Sequence, residues 1–221
     1  MMTNLFSSFD PSTNIYMPIN WISMWIFMML VPLSYWSNMS RPEIMFNIIN
    51  KKLHKEFSVI LNSKSENLMF ISLFTIIMMN NVTGLLPYIF TSTSHMVMTL
   101  SLAMPLWLGI NMFGWFKKTN SMFKHLVPMG TPPILMPFMV CIETISSLIR
   151  PGTLTIRLTA NMIAGHLLLT LMGNSGTSIN ELLLVGMLSL QLILFMLETA
   201  VAVIQSYVFS ILTTLYAGEI N

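Results

Sequence analysis

The stretch LLLVGMLSLQLILFMLETAVAVIQSYVFSILTTLYA (182–217) holds only three strongly polar side chains, Gln191, Glu198 and Gln205. As one α-helix it would be roughly 54 Å long, against ~30 Å for the hydrocarbon core of a bilayer. No Gly, Pro or Asn lies between Met187 and Ala217 to make a turn. The stretch is therefore expected to be one helix rather than a folded-back pair. Its tilt would be near 55°, steeper than the ordinary range of about 0–40°. The preceding tract, 131–172, would be roughly 63 Å long by the same measure. It carries Pro137 and Pro151-Gly152, where kinks are expected. The polar run GNSGTSINE (173–181) joins the two tracts. The fold class is then all-α and integral to a membrane, with about six helices: three ordinary spans, one amphipathic surface helix and a hairpin of two long, strongly tilted helices.

Composition agrees. Of 221 residues, 54% are hydrophobic and 8% charged, with a mean hydropathy of +0.73. Soluble domains carry about 25% charged residues, so this chain cannot cover a water-facing surface, and a soluble enzyme is excluded. Disorder is excluded on the same ground. The single cysteine, Cys141, allows no internal disulfide and no cysteine-based metal site, and it is expected to be a small packing residue. The N-terminal MMTNLFSSFDPSTN has no basic region ahead of a short apolar core, so it does not read as a signal peptide.

The whole chain, 1–221, reads as a single membrane domain. A first span is expected at 15–36, anchored by Tyr16, Trp21 and Trp25 at one end and Tyr35 and Trp36 at the other. In 37–66, Met45, Ile48, Ile49, Leu53, Phe57, Ile60 and Leu61 recur at helical steps, with Lys51, Lys52, Lys55 and Glu56 opposite. This is the pattern of an amphipathic helix lying on the membrane surface. No charged residue occurs from Asn67 to Phe116, and TSTSH (91–95) divides that tract into spans at 67–90 and 96–116. A basic loop, 117–130, follows with Lys117, Lys118 and Lys124. The positive-inside rule puts both basic stretches on the matrix or cytoplasmic side, and the N-terminus outside.

Arg150 and Arg157 are the two basic residues that fall within apolar sequence, and they are joined there by Glu143, His166, Glu198 and, near the end, Glu219. Each ionisable group at bilayer depth costs about 2.5–3.5 kcal/mol on insertion scales. Six of them point to a polar path. The alternative is buried ion pairs that only fix helix packing. Glu143, Arg150 and Arg157 recur every seven residues, so they share a stripe, with Asn161 one turn beyond. Gln191, Glu198, Gln205 and Glu219 share another. His166 lies about 13.5 Å beyond Arg157 along an ideal helix and turned away from it. It is expected to face another component unless a kink near Gly165 rotates it. Glu and His exchange protons near neutral pH when their surroundings tune them, whereas Arg does not. A fixed Arg157 between relay groups is a barrier, and it calls for a carboxylate that this chain does not supply.

RLTANMIAGHLL (157–168), preceded by RPGTLTI (150–156), resembles the signature of subunit a of rotary ATP synthases. LETAVAVIQSYVFSILTTLY (197–216) is similar to that family's last helix. FDPS (9–12), NNVTGLLPY (80–88) and YAGE (216–219) fit its mitochondrial form. The resemblance implies a stator whose long hairpin lies against a rotor, the c-ring of acidic hairpin subunits, together with other membrane and peripheral-stalk subunits. It implies two offset half-channels separated at Arg157. His166 and Glu198 would serve the intermembrane-space side, Glu143 and Glu219 the matrix side, and Asn161 and Gln205 would line the ring-facing surface. The implied setting is the mitochondrial inner membrane, with the N-terminus in the intermembrane space and the C-terminus in the matrix. Another polytopic proton transporter, or a respiratory-complex membrane subunit, is the competing reading. It is disfavoured because neither internal repeats nor matching broken helices occur.

The remaining motifs carry less. No phosphate-binding GxxxxGK[ST] occurs, so ATP is expected to bind elsewhere. His54, His95 and His125 have no metal-ligand spacing, and no metal or other cofactor is expected. The Lys117–Lys124 cluster reads as an orientation signal, with no nucleic-acid partner. Asn80, Asn81 and Thr83 either bond between helices or line a water path.

Overall fold

Helices make up all the regular structure of the computed structural model, which describes residues 5–12, 18–32, 37–61, 64–127, 132–176 and 181–220. In chain order these are a 3-10 turn at Leu5–Phe9, another at Ile19–Trp25, α1 (Ile26–Leu30), α2 (Arg41–Ile60), α3 (Lys64–Gly84), a short 3-10 turn at Ser92–Ser94, α4 (Met96–Lys117), α5 (Thr119–Leu126), α6 (Met136–Ser175) and α7 (Glu181–Ile220). Four of them, α3, α4, α6 and α7, are long and apolar enough to cross a bilayer. The protein is an all-α integral membrane protein.

The two 40-residue helices, α6 and α7, dominate. Each is about 60 Å long at helical rise. α7 is unbroken from Glu181 to Ile220. Pro137 begins α6 instead of kinking it, because the first turn needs no N–H from that position. Pro151 sits inside α6, where its missing N–H leaves the Ser147 carbonyl without its helical donor.

The long helices pack through small and hydroxylated residues. Ser206, Ser210 and Thr214 of α7 are fully buried. Their hydroxyls donate to carbonyls of their own helix, Ser206 to Val203 at 2.7 Å, Ser210 to Tyr207 at 2.9 Å and Thr214 to Ile211 at 2.7 Å. Hydroxyls satisfied in this way can meet an apolar neighbour closely without an unpaired donor. α3 lies along this side of α7. A cluster of Leu73, Ile77, Ala103, Leu154, Leu158 and Phe209 ties α3, α4, α6 and α7 together.

The amphipathic helix α2 is docked on the other helices. Leu53, Phe57 and Leu61 are buried against Phe70, Phe74 and Ala217, while Met45, Ile48 and Ile49 of the same stripe stay exposed. The start of α2 is fixed by the Ser40 N–H donating to Glu43 Oε2 at 2.8 Å. Its far end is held by Tyr207 of α7, whose hydroxyl donates to Glu56 Oε2 at 3.0 Å.

Several expectations change. The stretch 117–130, expected as a loop, contains α5. The first span, expected at 15–36, lies partly outside the described residues. Within them it consists of a 3-10 turn and the five-residue α1. Together these cover about 22 Å of that stretch, and Pro32 stops α1 from continuing. The span expected at 67–90 ends as a helix at Gly84, because Pro87 and the left-handed Tyr88 (φ 68°) turn the chain. Cys141, expected to pack inside, is exposed.

Candidate functional site

Two cavities line the α6–α7 pair, and they do not overlap. The first, about 430 Å³, is bounded on α6 by residues from Glu143 to Leu154 and on α7 by Thr213, Tyr216 and Glu219. The second, about 480 Å³, is bounded on α6 by residues from Leu158 to Met172 and on α7 by residues from Leu190 to Gln205. Arg157 belongs to neither lining and falls in the gap between Leu154 and Leu158.

The first cavity is charged. Arg150 donates from Nη1 to Glu219 Oε2 at 3.0 Å and from Nη2 to Glu143 Oε1 at 3.5 Å. Its guanidinium also lies 5.0 Å from the centre of the Tyr216 ring. Glu143 and Glu219, 76 positions apart in sequence, thus meet through one cation. Sequence reasoning gave Arg150 no role. The signal was present in the seven-residue spacing of Glu143 and Arg150, since two helical turns leave such residues on one face.

The second cavity surrounds Glu198. This carboxylate is 9% exposed, and both of its oxygens lack a hydrogen-bond partner. It rests on Gly165, where a Cβ would come within 2.9 Å of Glu198 Cδ and Oε1. Only glycine lets α7 bring the side chain this near the α6 backbone. Asn161 and Gln205 share the lining, as does Asn81 of α3. Asn81 is fully buried; its Nδ2 donates to the Ala202 carbonyl at 3.4 Å, while its Oδ1 is unpartnered. An unpaired carboxylate and an unpaired amide oxygen beside a cavity of this size are groups that internal water satisfies. Asn81 thus bonds between helices and also lines the cavity.

His166 has neighbours within the chain. Part of its surface is covered from within the chain: its ring meets Phe9 edge-on at 6.2 Å between centroids, and the Gly84 backbone stands beside it. The N-terminal turn and the end of α3 wrap around to reach a face that an isolated helix would leave open. His166 Nε2 has no hydrogen-bond partner, so no bond through it reaches Glu198. The two are linked by chain adjacency, because Glu198 packs on Gly165.

Arg157 is exposed, and among the described residues it makes no ion pair. Ile156, Ala160, Ala164 and Leu168 are exposed on the same side of α6. The structure thus brings Glu143, Arg150 and Glu219 together, gathers Glu198 with Asn161 and Gln205, keeps His166 out of that lining, and leaves Arg157 between the groups on an open face.

Comparison with known proteins gives the family. The family model described as "ATP synthase A chain" matches residues 17–218. The chain is 59% identical to ATP synthase subunit a of Anopheles gambiae, 58% to that of Drosophila melanogaster and 57% to that of Aedes aegypti, in each case over 100% of both chains. With a family model spanning nearly its whole length and full-length relatives at this identity, the chain belongs to the ATP synthase A chain family.

Proposed function

We propose that this chain carries protons through two offset half-channels at an interface with the c-ring, and so couples a proton-motive force to rotation and ATP synthesis. One observation carries the reading: two separate cavities, each with glutamate in its lining, lie to either side of Arg157 along α6, and Arg157 is charged, exposed and unpaired among the described residues. A permanent cation at bilayer depth needs a counter-charge. A ring subunit with one membrane carboxylate supplies it in passing, and the nearby guanidinium holds that carboxylate ionised. The proton leaves to one cavity before another arrives from the other. Arg157 is the electrostatic gate, and it cannot itself relay a proton.

Glu198 and His166 serve the outer path, and Glu143 and Glu219 the inner one. Asn161 and Gln205 line the ring-facing side of the outer cavity. In this reading the membrane is the mitochondrial inner membrane, the N-terminus lies in the intermembrane space and the C-terminus in the matrix. The other membrane and peripheral-stalk subunits hold the chain still while the ring turns.

The test is Arg157→Gln in the assembled complex, reconstituted into vesicles. ATP synthesis is expected to fall by two orders of magnitude or more, roughly the loss on deleting a preorganised charge-stabilising group, and passive proton permeability is expected to rise. Wild-type synthesis with no added leak would overturn the reading.

A further inference from the structure

Arg150 is the one charged group of the inner cavity to which the proposed path gives no task. It is also the group with the most definite geometry. Its two terminal nitrogens reach carboxylates on different helices, Glu219 of α7 at 3.0 Å and Glu143 of α6 at 3.5 Å. Tyr216, one turn before Glu219, lies under the guanidinium plane. The bond to Glu219 ties α6 to α7, and the bond to Glu143 holds the guanidinium along α6. The three charged side chains are one-third to just over one-half exposed and line the same cavity of about 430 Å³. They are wet rather than sealed.

We propose that Arg150 is a positioning residue: a fork that holds Glu143 and Glu219, from two helices, at the mouth of the inner cavity as one acceptor pair. The planar guanidinium suits this task because its nitrogens diverge toward two acceptors at fixed separation. Without the cation, two carboxylates would face each other across the cavity and repel, and the inner ends of α6 and α7 would lose their polar tie. The inference rests on the reading of the chain as a proton-path subunit and adds a residue to it.

The experiment uses the intact complex in vesicles and reads ATP-driven proton pumping. Arg150→Gln is expected to slow pumping about tenfold, the scale set by losing hydrogen bonds to charged groups. Arg150→Lys, which keeps the charge and can still bridge, is expected to recover to within about threefold of wild type. In the background of Glu143→Gln with Glu219→Gln, adding Arg150→Gln should change the residual rate less than about twofold, since the fork then has nothing to hold. If Arg150→Gln alone prevents assembly, the triple variant should assemble better than the single one, because removing every charge leaves none uncompensated.

Wild-type pumping by Arg150→Gln overturns the proposal. So does an equal loss in both backgrounds, no rescue by lysine, or a triple variant that assembles no better than the single one. Arg157→Gln, run beside these, separates the two levels. If it pumps normally, the proton-path reading falls and the fork falls with it. If it is inactive while the Arg150 effects are merely additive, only the fork falls.

Discussion

Gly165 is where a single missing atom matters most. A methyl group there would meet Glu198 Cδ and Oε1 at 2.9 Å and Cγ at 3.3 Å. Those atoms belong to the end of a side chain beside a cavity, so the carboxylate moves aside and the helices stay packed. Gly165→Ala is expected to assemble normally and to synthesise ATP about tenfold more slowly, within the range that displacing a reacting group by ~1 Å produces. The check is synthesis normalised to assembled complex. Glu198→Gln keeps the shape but cannot release and regain a proton at useful pH. It too should assemble, with synthesis strongly reduced, and unchanged synthesis would leave Glu198 a structural role. Asp10, outside the spans, gives a pH prediction. Its carboxylate accepts from the Ser12 N–H at 3.0 Å and the Ser12 hydroxyl at 2.7 Å, and these bonds hold its pKa below the usual carboxylate value. A lowered folded-state value means that the turn's stabilisation is present above the unfolded pKa and lost as pH falls through the folded one. The protection factor of the Ser12 amide, the intrinsic exchange rate at the same pH divided by the observed rate, is therefore expected to fall in strong acid and to stay constant above the ordinary carboxylate range.

Among the elements, α2 and α7 make the sharpest contrast. The inward side of α2 is held by Phe57, fully buried among Leu53, Leu61, Phe70, Phe74 and Ala217. Phe57→Ala should destabilise the detergent-solubilised protein by about 3 kcal/mol and free α2 from α7, which limited proteolysis of α2 would report. α7 is held by length. From Glu198 to Glu219 it rises about 31 Å along its own axis, and the two carboxylates line different cavities. Cysteines at 198 and 219 are therefore expected to react with impermeant thiol reagents added on opposite sides of the membrane. Labelling of both from one side would contradict an unbroken crossing.

For the whole molecule, the open face of α6 makes the next prediction. Ala160 and Ala164 are exposed beside Arg157, whereas Thr159 is buried, and small residues let a neighbouring helix approach closely. Cysteines at 160 and 164 are expected to form disulfides with cysteines on the outer helix of a ring subunit, and a cysteine at 159 is not. Non-reducing gels of the membrane fraction decide it. Much of this architecture was legible from the chain alone. The absence of charge from Asn67 to Phe116 and the absence of turn residues from Met187 to Ala217 determined the α-helical membrane class and the unbroken last helix. A bilayer forbids unsatisfied backbone and a helix satisfies its own. The spacing of Glu143, Arg150 and Arg157 was equally visible, because periodicity is a property of one helix. Contacts between helices were not. That Arg150 joins Glu143 to Glu219, that Asn81 reaches the cavity of Glu198 and that Phe9 covers His166 each depend on how separate helices rotate and slide against one another. Hydrophobic patterning says little about that rotation here, because a helix that is apolar all round has no marked inward face. Close packing of side chains across the interfaces set it, and only the tertiary structure contains that packing.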